Sequence, residues 1–120
     1  MRVSHTSTTA YHAEAARRET WQVRVARAIL AATKDGKNIT IAELAQKLRI
    51  VNGTVSGRIG DIRKKIDKTG AYLIDGTPYV LDIPEKRKSK VQGHDIHRSN
   101  AFVLIEKPAH IGVQTNFFAA

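Results

Sequence analysis

The 120-residue chain has no cysteine. That absence excludes disulfide frameworks, zinc ribbons, thiol catalysis and iron–sulfur clusters together. No apolar run approaches the roughly 20 residues of a membrane-spanning helix. The opening residues, Met1-Arg-Val-Ser-His-Thr-Ser-Thr-Thr, lack the apolar core of a signal peptide. The expectation is a soluble cytoplasmic protein with no membrane partner. Acidic residues are scarce too: 11 Asp and Glu against 20 Lys and Arg leave a net charge of +9 and a pI near 10.2. Such a surplus draws a protein to polyanions, and nucleic acid is the abundant one in a cytoplasm. Ribosome association and plain solubility give the same number, so charge alone does not choose among them. Hydrophobic residues, 42% of the chain, fill one core but not two.

The charge is spread along the chain, with +6 in residues 1–83 and +3 in residues 84–120. Periodicity organises residues 10–83. Trp21, Val25, Ala28, Ile29 and Ala32 form one stripe of a helix over 10–33, which Asp35-Gly36 stops with Gly36 past the end. Thr40-Ile41-Ala42-Glu43 has capping-box spacing and starts a helix over 41–48 that buries Ile41, Leu44, Ala45 and Leu48. Arg49-Ile50-Val51 makes a tight turn. Asn52 suits the N-cap of a third helix to about Asp67, with Val55, Ile59, Ile62 and Ile66 as its apolar stripe. Ala71–Ile74 and Tyr79–Asp82 are strand candidates around an Asp75-Gly76-Thr77-Pro78 loop. At Pro84 the pattern stops, and Glu85-Lys-Arg-Lys-Ser-Lys-Val-Gln-Gly suits a solvated basic linker or arm. Asn100–Glu106 forms a further strand candidate, and the apolar residues near the C-terminus call for cover.

Three helices followed by a hairpin follow the order of the winged helix-turn-helix, and the segment Ile41 to Ile59 resembles the core of that family. In this likeness Ala45 marks the close helix crossing and Ile50 plugs the turn. Thr6-Ser7-Thr8-Thr9-Ala10-Tyr11 is similar to the Thr-Ser-x-x-Ala-Tyr spacing ahead of the first helix in small winged-helix proteins of bacteriophages and prophages. The resemblance implies a mainly α fold with a small β-hairpin (α+β): an N-terminal arm over 1–9, the winged domain over 10–83 and a C-terminal extension over 84–120. It also implies DNA binding, in a bacterial host cytoplasm where the chain is phage-encoded.

Around the third helix, the side opposite the apolar stripe carries Gly53, Gly57, Gly60 and Lys64. Glycines on a helical face cost about 1 kcal/mol each against alanine. Close approach of a DNA backbone or a partner helix offsets that cost; the other account is a break in the helix at Gly57 or Gly60, or glycine that is simply tolerated. Asn52, Thr54, Ser56, Arg58 and Arg63 offer base or phosphate contacts, and Lys64, Lys65 and Lys68 offer phosphate contacts. Arg58 also has Asp61 within reach for an ion pair. The hairpin loop has no basic residue, so Lys86, Arg87, Lys88 and Lys90 are the candidates for the contact a wing makes.

His94, Asp95, His97, Asn100 and His110 superficially offer metal ligands, but they lack the strand–strand–helix setting of a His/Asn/His nuclease. No phosphate loop, carboxylate pair or nucleophile elbow stands out. The expectation is a DNA-binding protein, a small transcriptional regulator or other DNA-associated protein acting as a homodimer, with no catalytic residues, metal or cofactor. The alternative is an adaptor that seats a host or phage protein on the Gly53/Gly57/Gly60 face.

Overall fold

Nothing in residues 2–34 interrupts a helix: the first glycine is Gly36 and the first proline Pro78. In the computed structural model the opening helix, α1, accordingly spans Arg2–Lys34, and the expected arm over 1–9 is its first turns from Arg2 onward. The structure describes the backbone of residues 2–91 and 97–108, with side chains from Arg17 onward. α1 buries Val25, Ala26, Ala28 and Ile29. It stops in a Schellman arrangement: Gly36 takes φ +75°, the Lys37 N–H donates to the Ala32 carbonyl at 2.9 Å, and the Gly36 N–H to Thr33 at 2.9 Å.

A two-residue strand, β1 (Ile39–Thr40), leads into α2 (Ile41–Leu48). The capping box forms as expected, with the Glu43 N–H donating to Thr40 Oγ1 at 3.3 Å and the Thr40 N–H to Glu43 Oε1 at 3.1 Å. Arg49 ends α2 at φ +58°, and α3 (Asn52–Thr69) follows after Ile50 and Val51. The N-cap is Val51, whose side chain caps nothing; Asn52 is the first helical residue, so the helix begins one position earlier than the sequence suggests. Gly70, at φ +94°, ends α3.

The small hairpin is part of a larger sheet. Strands β2 (Tyr72–Ile74), β3 (Thr77–Lys88) and β4 (Arg98–Glu106) join β1 in the antiparallel order β1-β4-β3-β2. The described residues thus form an α+β fold of three helices and a four-stranded antiparallel sheet. The β2–β3 turn is two residues long, Asp75 and Gly76, both at positive φ, so Thr77 and Pro78 belong to the strand. The larger correction lies at Pro84. Residues 84–88 are not a linker but the second half of β3. Pairing shifts by one residue between Asp82 and Glu85, so that Ile83 and Pro84 together oppose Phe102. This bulge absorbs a proline that cannot donate to a ladder.

The core joins both layers: Val25 and Ile29 of α1, Leu44 of α2, Val55, Ile59 and Ile62 of α3, and Tyr72, Tyr79, Phe102 and Leu104 of the sheet. Thr33 pins α1 to β4, accepting from the Leu104 N–H at 3.0 Å while donating to the Ile29 carbonyl at 2.9 Å.

Candidate nucleic-acid interface

The face of α3 turned from the core is nearly bare. Gly53 and Gly57 are exposed and Gly60 is half-buried, and a Cβ at any of them would meet nothing within 4 Å. The helix continues through all three, which excludes a break, and none needs a left-handed backbone. Neither packing nor conformation therefore demands glycine here. What results is an exposed stretch of helix backbone that another surface can approach closely.

The two flanks of this face differ in what their cations do. Arg58 is 15% exposed, with Nε 2.9 Å from an Asp61 oxygen; Asp61 also meets Arg18 of α1 at 3.5 Å. Lys65 reaches Glu19 of α1 at 3.3 Å and lies 5.7 Å from the centre of the Tyr72 ring. These two residues, singled out from sequence, brace α3 on α1, and the half-buried Thr54 lies on their side. On the other flank Asn52 and Ser56 are exposed, and the Arg63 guanidinium sits 5.6 Å from the centre of the Phe102 ring. Lys64 and Lys68, at the C-terminal half, are exposed and form no ion pair among the described residues.

The basic run after Pro84 divides by strand alternation. Arg87 points into a network. Its two terminal nitrogens bind both Glu43 oxygens at 2.6 and 2.7 Å, Nε donates to Asn38 Oδ1 at 2.7 Å, and Nη2 also donates to the Asn38 carbonyl at 2.9 Å. The Lys90 N–H donates to Glu43 at 2.5 Å, and the Thr40 and Ser89 hydroxyls share a buried hydrogen bond of 2.6 Å. Burial alone would raise the Glu43 carboxyl. Hydrogen bonds from Arg87, Lys90 and Thr40, together with the Arg87 charge, outweigh it and hold the group at about 2. The hydrogen bond to Glu43 likewise raises Arg87 against the cost of its burial. Arg87 is thus a structural clamp that ties the end of β3 to the start of α2. Its charge is matched within the chain.

Lys86 and Lys88 alternate with it and stand exposed opposite Asn100 and Arg98. Lys86, Lys88 and Arg98 thus form an exposed basic strip on the side of the ribbon away from Arg87. The Lys90 side chain is exposed at the end of the ribbon. The shorter β2–β3 turn instead folds back on α1: Asp75 accepts two hydrogen bonds from Arg27, at 2.8 and 3.0 Å. Those bonds, and then the opposite charges, lower Asp75 and raise Arg27.

Among the described residues no group of three His, Cys, Asp or Glu side chains could hold a metal ion. His94, Asp95 and His110 lie outside the described residues; His97 is exposed just before β4. Sequence reasoning missed Glu43 and Asn38 as partners of Arg87, and Arg98 as a member of the basic strip. The available signal was the alternation of Lys86, Lys88 and Lys90 with Arg87 and Ser89, a strand pattern that composition alone hides. No helix of the described residues is long and apolar enough to cross a membrane. Comparison of the chain with protein-family models, with curated proteins and with solved structures returns no match.

Proposed function

We propose that this chain binds duplex DNA as a winged helix-turn-helix protein, most plainly a small transcriptional regulator or DNA-associated protein acting in the cytoplasm as a homodimer. The observation that carries the reading is the outer face of α3: backbone open at Gly53, Gly57 and Gly60, bordered by Lys64 and Lys68, whose charges nothing in the described chain neutralises. α2 and α3, joined by the left-handed Arg49 and the inward Ile50, supply the helix-turn-helix. Within the sheet, the order β1-β4-β3 lets the β3–β4 ribbon take the part of the wing. This replaces the Asp75-Gly76 turn, which is occupied with Arg27. Lys86, Lys88 and Arg98 then meet phosphates beside those met by Lys64 and Lys68, contacts that position the protein without specifying sequence.

Gel-shift titration on random duplex at a series of salt concentrations tests this. Binding is expected to fall by orders of magnitude from low to moderate salt, with a slope near −0.9 per phosphate neutralised. Replacing Lys64 and Lys68 together with alanine is expected to reduce that slope by about 2 without changing the melting temperature. No binding at low salt, or a flat salt profile, turns the glycine face over to a protein partner instead. Sedimentation of the free chain and of the complex checks the homodimer.

A further inference from the structure

The turn between α2 and α3 breaks two local rules at once. Val51 is 69% exposed, more than the other exposed large apolar side chains, Leu73 at 66% and Ile105 at 47%. It also occupies the N-cap of α3, at φ −77° and ψ 153°, where its side chain can accept no hydrogen bond from the helix. Valine is among the poorest N-caps and asparagine among the best. Yet asparagine stands one residue later, at Asn52, exposed and capping nothing. Selection for stability alone favours the reverse order. Residues that violate local rules without a packing reason mark functional positions. Ile50, the residue before, packs on the core, so the turn rigidly directs Val51 outward.

We propose that this turn reads thymine: Val51 places its methyl groups against the C5-methyl of a thymine in the major groove, and Asn52 hydrogen-bonds the N6 and N7 edge of a neighbouring adenine. The inference rests on the DNA-binding function above and names the base pair that function prefers. In the major groove only thymine presents a methyl group, and apolar side chains recognise it by contact, while the Asn amide matches the donor and acceptor of adenine. Val51 and Asn52 are short side chains. They need the start of α3 to sit close to the bases, and Gly53 and Gly57, one and five positions after Asn52, carry no side chain that would hold the helix off. Arg49, exposed beside them at φ +58°, is free to meet the flanking phosphate.

The test uses the full chain and a random duplex library, followed by dissociation constants for the selected duplex. The same duplex is then measured with deoxyuridine replacing each thymine in turn, which removes only the methyl group. The library is expected to return an A·T-containing step. Uracil at one position of that step is expected to weaken wild-type binding about three- to fivefold, the worth of one buried methyl. Val51→Ala is expected to bind the thymine and uracil duplexes alike, and Asn52→Ala to lose the preference at the adjacent adenine. Val51→Ser restores a capping hydroxyl. It is expected to melt higher than wild type and still to lose the thymine preference, which separates recognition from stability. An unenriched library, a wild type indifferent to uracil at every position, or a uracil effect that persists in Val51→Ala overturns the proposal. If salt-dependent duplex binding survives any of those results, only the role of this turn falls; if no duplex binds at low salt, the DNA-binding reading falls with it.

Discussion

Two basic stretches of this chain look alike in composition and do opposite things. Arg58 to Lys68 on α3 and Lys86 to Lys88 at the end of β3 each present a dense run of cations in a protein with few acids to match them. Asp61 of α3 and Glu19 of α1 pair with the cations on the flank packed on α1, while Lys64 and Lys68 on the outer face form no ion pair among the described residues. On β3 the central cation, Arg87, lies partly buried against Glu43 and Asn38, while its neighbours Lys86 and Lys88 face outward. A cation's role is therefore decided by the period of the element that carries it. On a helix the free charges recur every three to four residues; on a strand each second residue turns inward.

The largest expected effect belongs to the core that both stretches share. Leu44 is fully buried where α2 meets the other helices, and Leu44→Ala is expected to cost roughly 2–5 kcal/mol in denaturant unfolding through the lost methylenes and the cavity left behind. Next comes the clamp. Arg87→Ala leaves Glu43, with a side chain only 12% exposed, without its cation, and is expected to cost about 2–3 kcal/mol, below the range for fully buried pairs. Lys86→Ala and Lys88→Ala, on the same strand, are expected to change stability by about 0.5 kcal/mol or less and to weaken duplex binding instead. An Arg87→Ala protein as stable as wild type would erase the distinction between inward and outward cations on β3.

The clamp also predicts a pH dependence whose sign follows from Glu43. Its carboxyl is held at about 2 in the folded chain, against an ordinary value of 4.5. The folded state thus favours the ionised form, and this contribution is fully present above the ordinary value. It is lost as pH falls from about 5 towards 2, because the unfolded chain takes up its proton first. Urea midpoints measured over that window are expected to decline with acid more steeply for wild type than for Glu43→Gln. Parallel pH profiles would show that the carboxylate is not held by this network.

How much of this was legible beforehand depends on how local the determinants are. The capping box of Thr40 and Glu43 and the stop at Gly36 are written in adjacent residues, and both form as the spacing predicts. The apolar stripes of the helices and the run Ala101–Ile105 of β4 are visible for the same reason. The long β3 was hidden because its second half is stabilised by residues far along the chain. Lys86 pairs with Asn100, Lys88 with Arg98, and Arg87 with Glu43 and Asn38 some 44 and 49 positions away. Pro84 reads as a terminator until the bulge opposite Phe102 shows how a strand carries it. At the interface, the glycine face was legible from helical spacing alone. Which cations flank it unpaired was not, since Glu19 and Asp61 act through the packing of α1 on α3. The hairpin at Asp75 misled in the other direction: a good local turn sequence drew attention from the longer ribbon, which has no comparable turn signature.

A single added methyl group separates the two stretches most directly. At Gly57 a Cβ would meet nothing within 4 Å, and the backbone is ordinary helix. Gly57→Ala is therefore expected to stabilise the chain by about 1 kcal/mol, since alanine restricts the unfolded chain and adds no clash. On the proposed reading, glycine stands where alanine is more stable because a duplex approaches the helix backbone there. The same methyl group, harmless to the fold, is expected to weaken duplex binding, and Gly57→Leu to abolish it while melting near wild type. On the β3 ribbon no such opposition is expected: Lys88→Leu is expected to weaken duplex binding by no more than one proposed phosphate contact and to leave stability within about 0.5 kcal/mol. If Gly57→Leu binds duplex as wild type does, the helix face is not the one that meets DNA, and the basic ribbon of Lys86, Lys88 and Arg98 carries the contact alone.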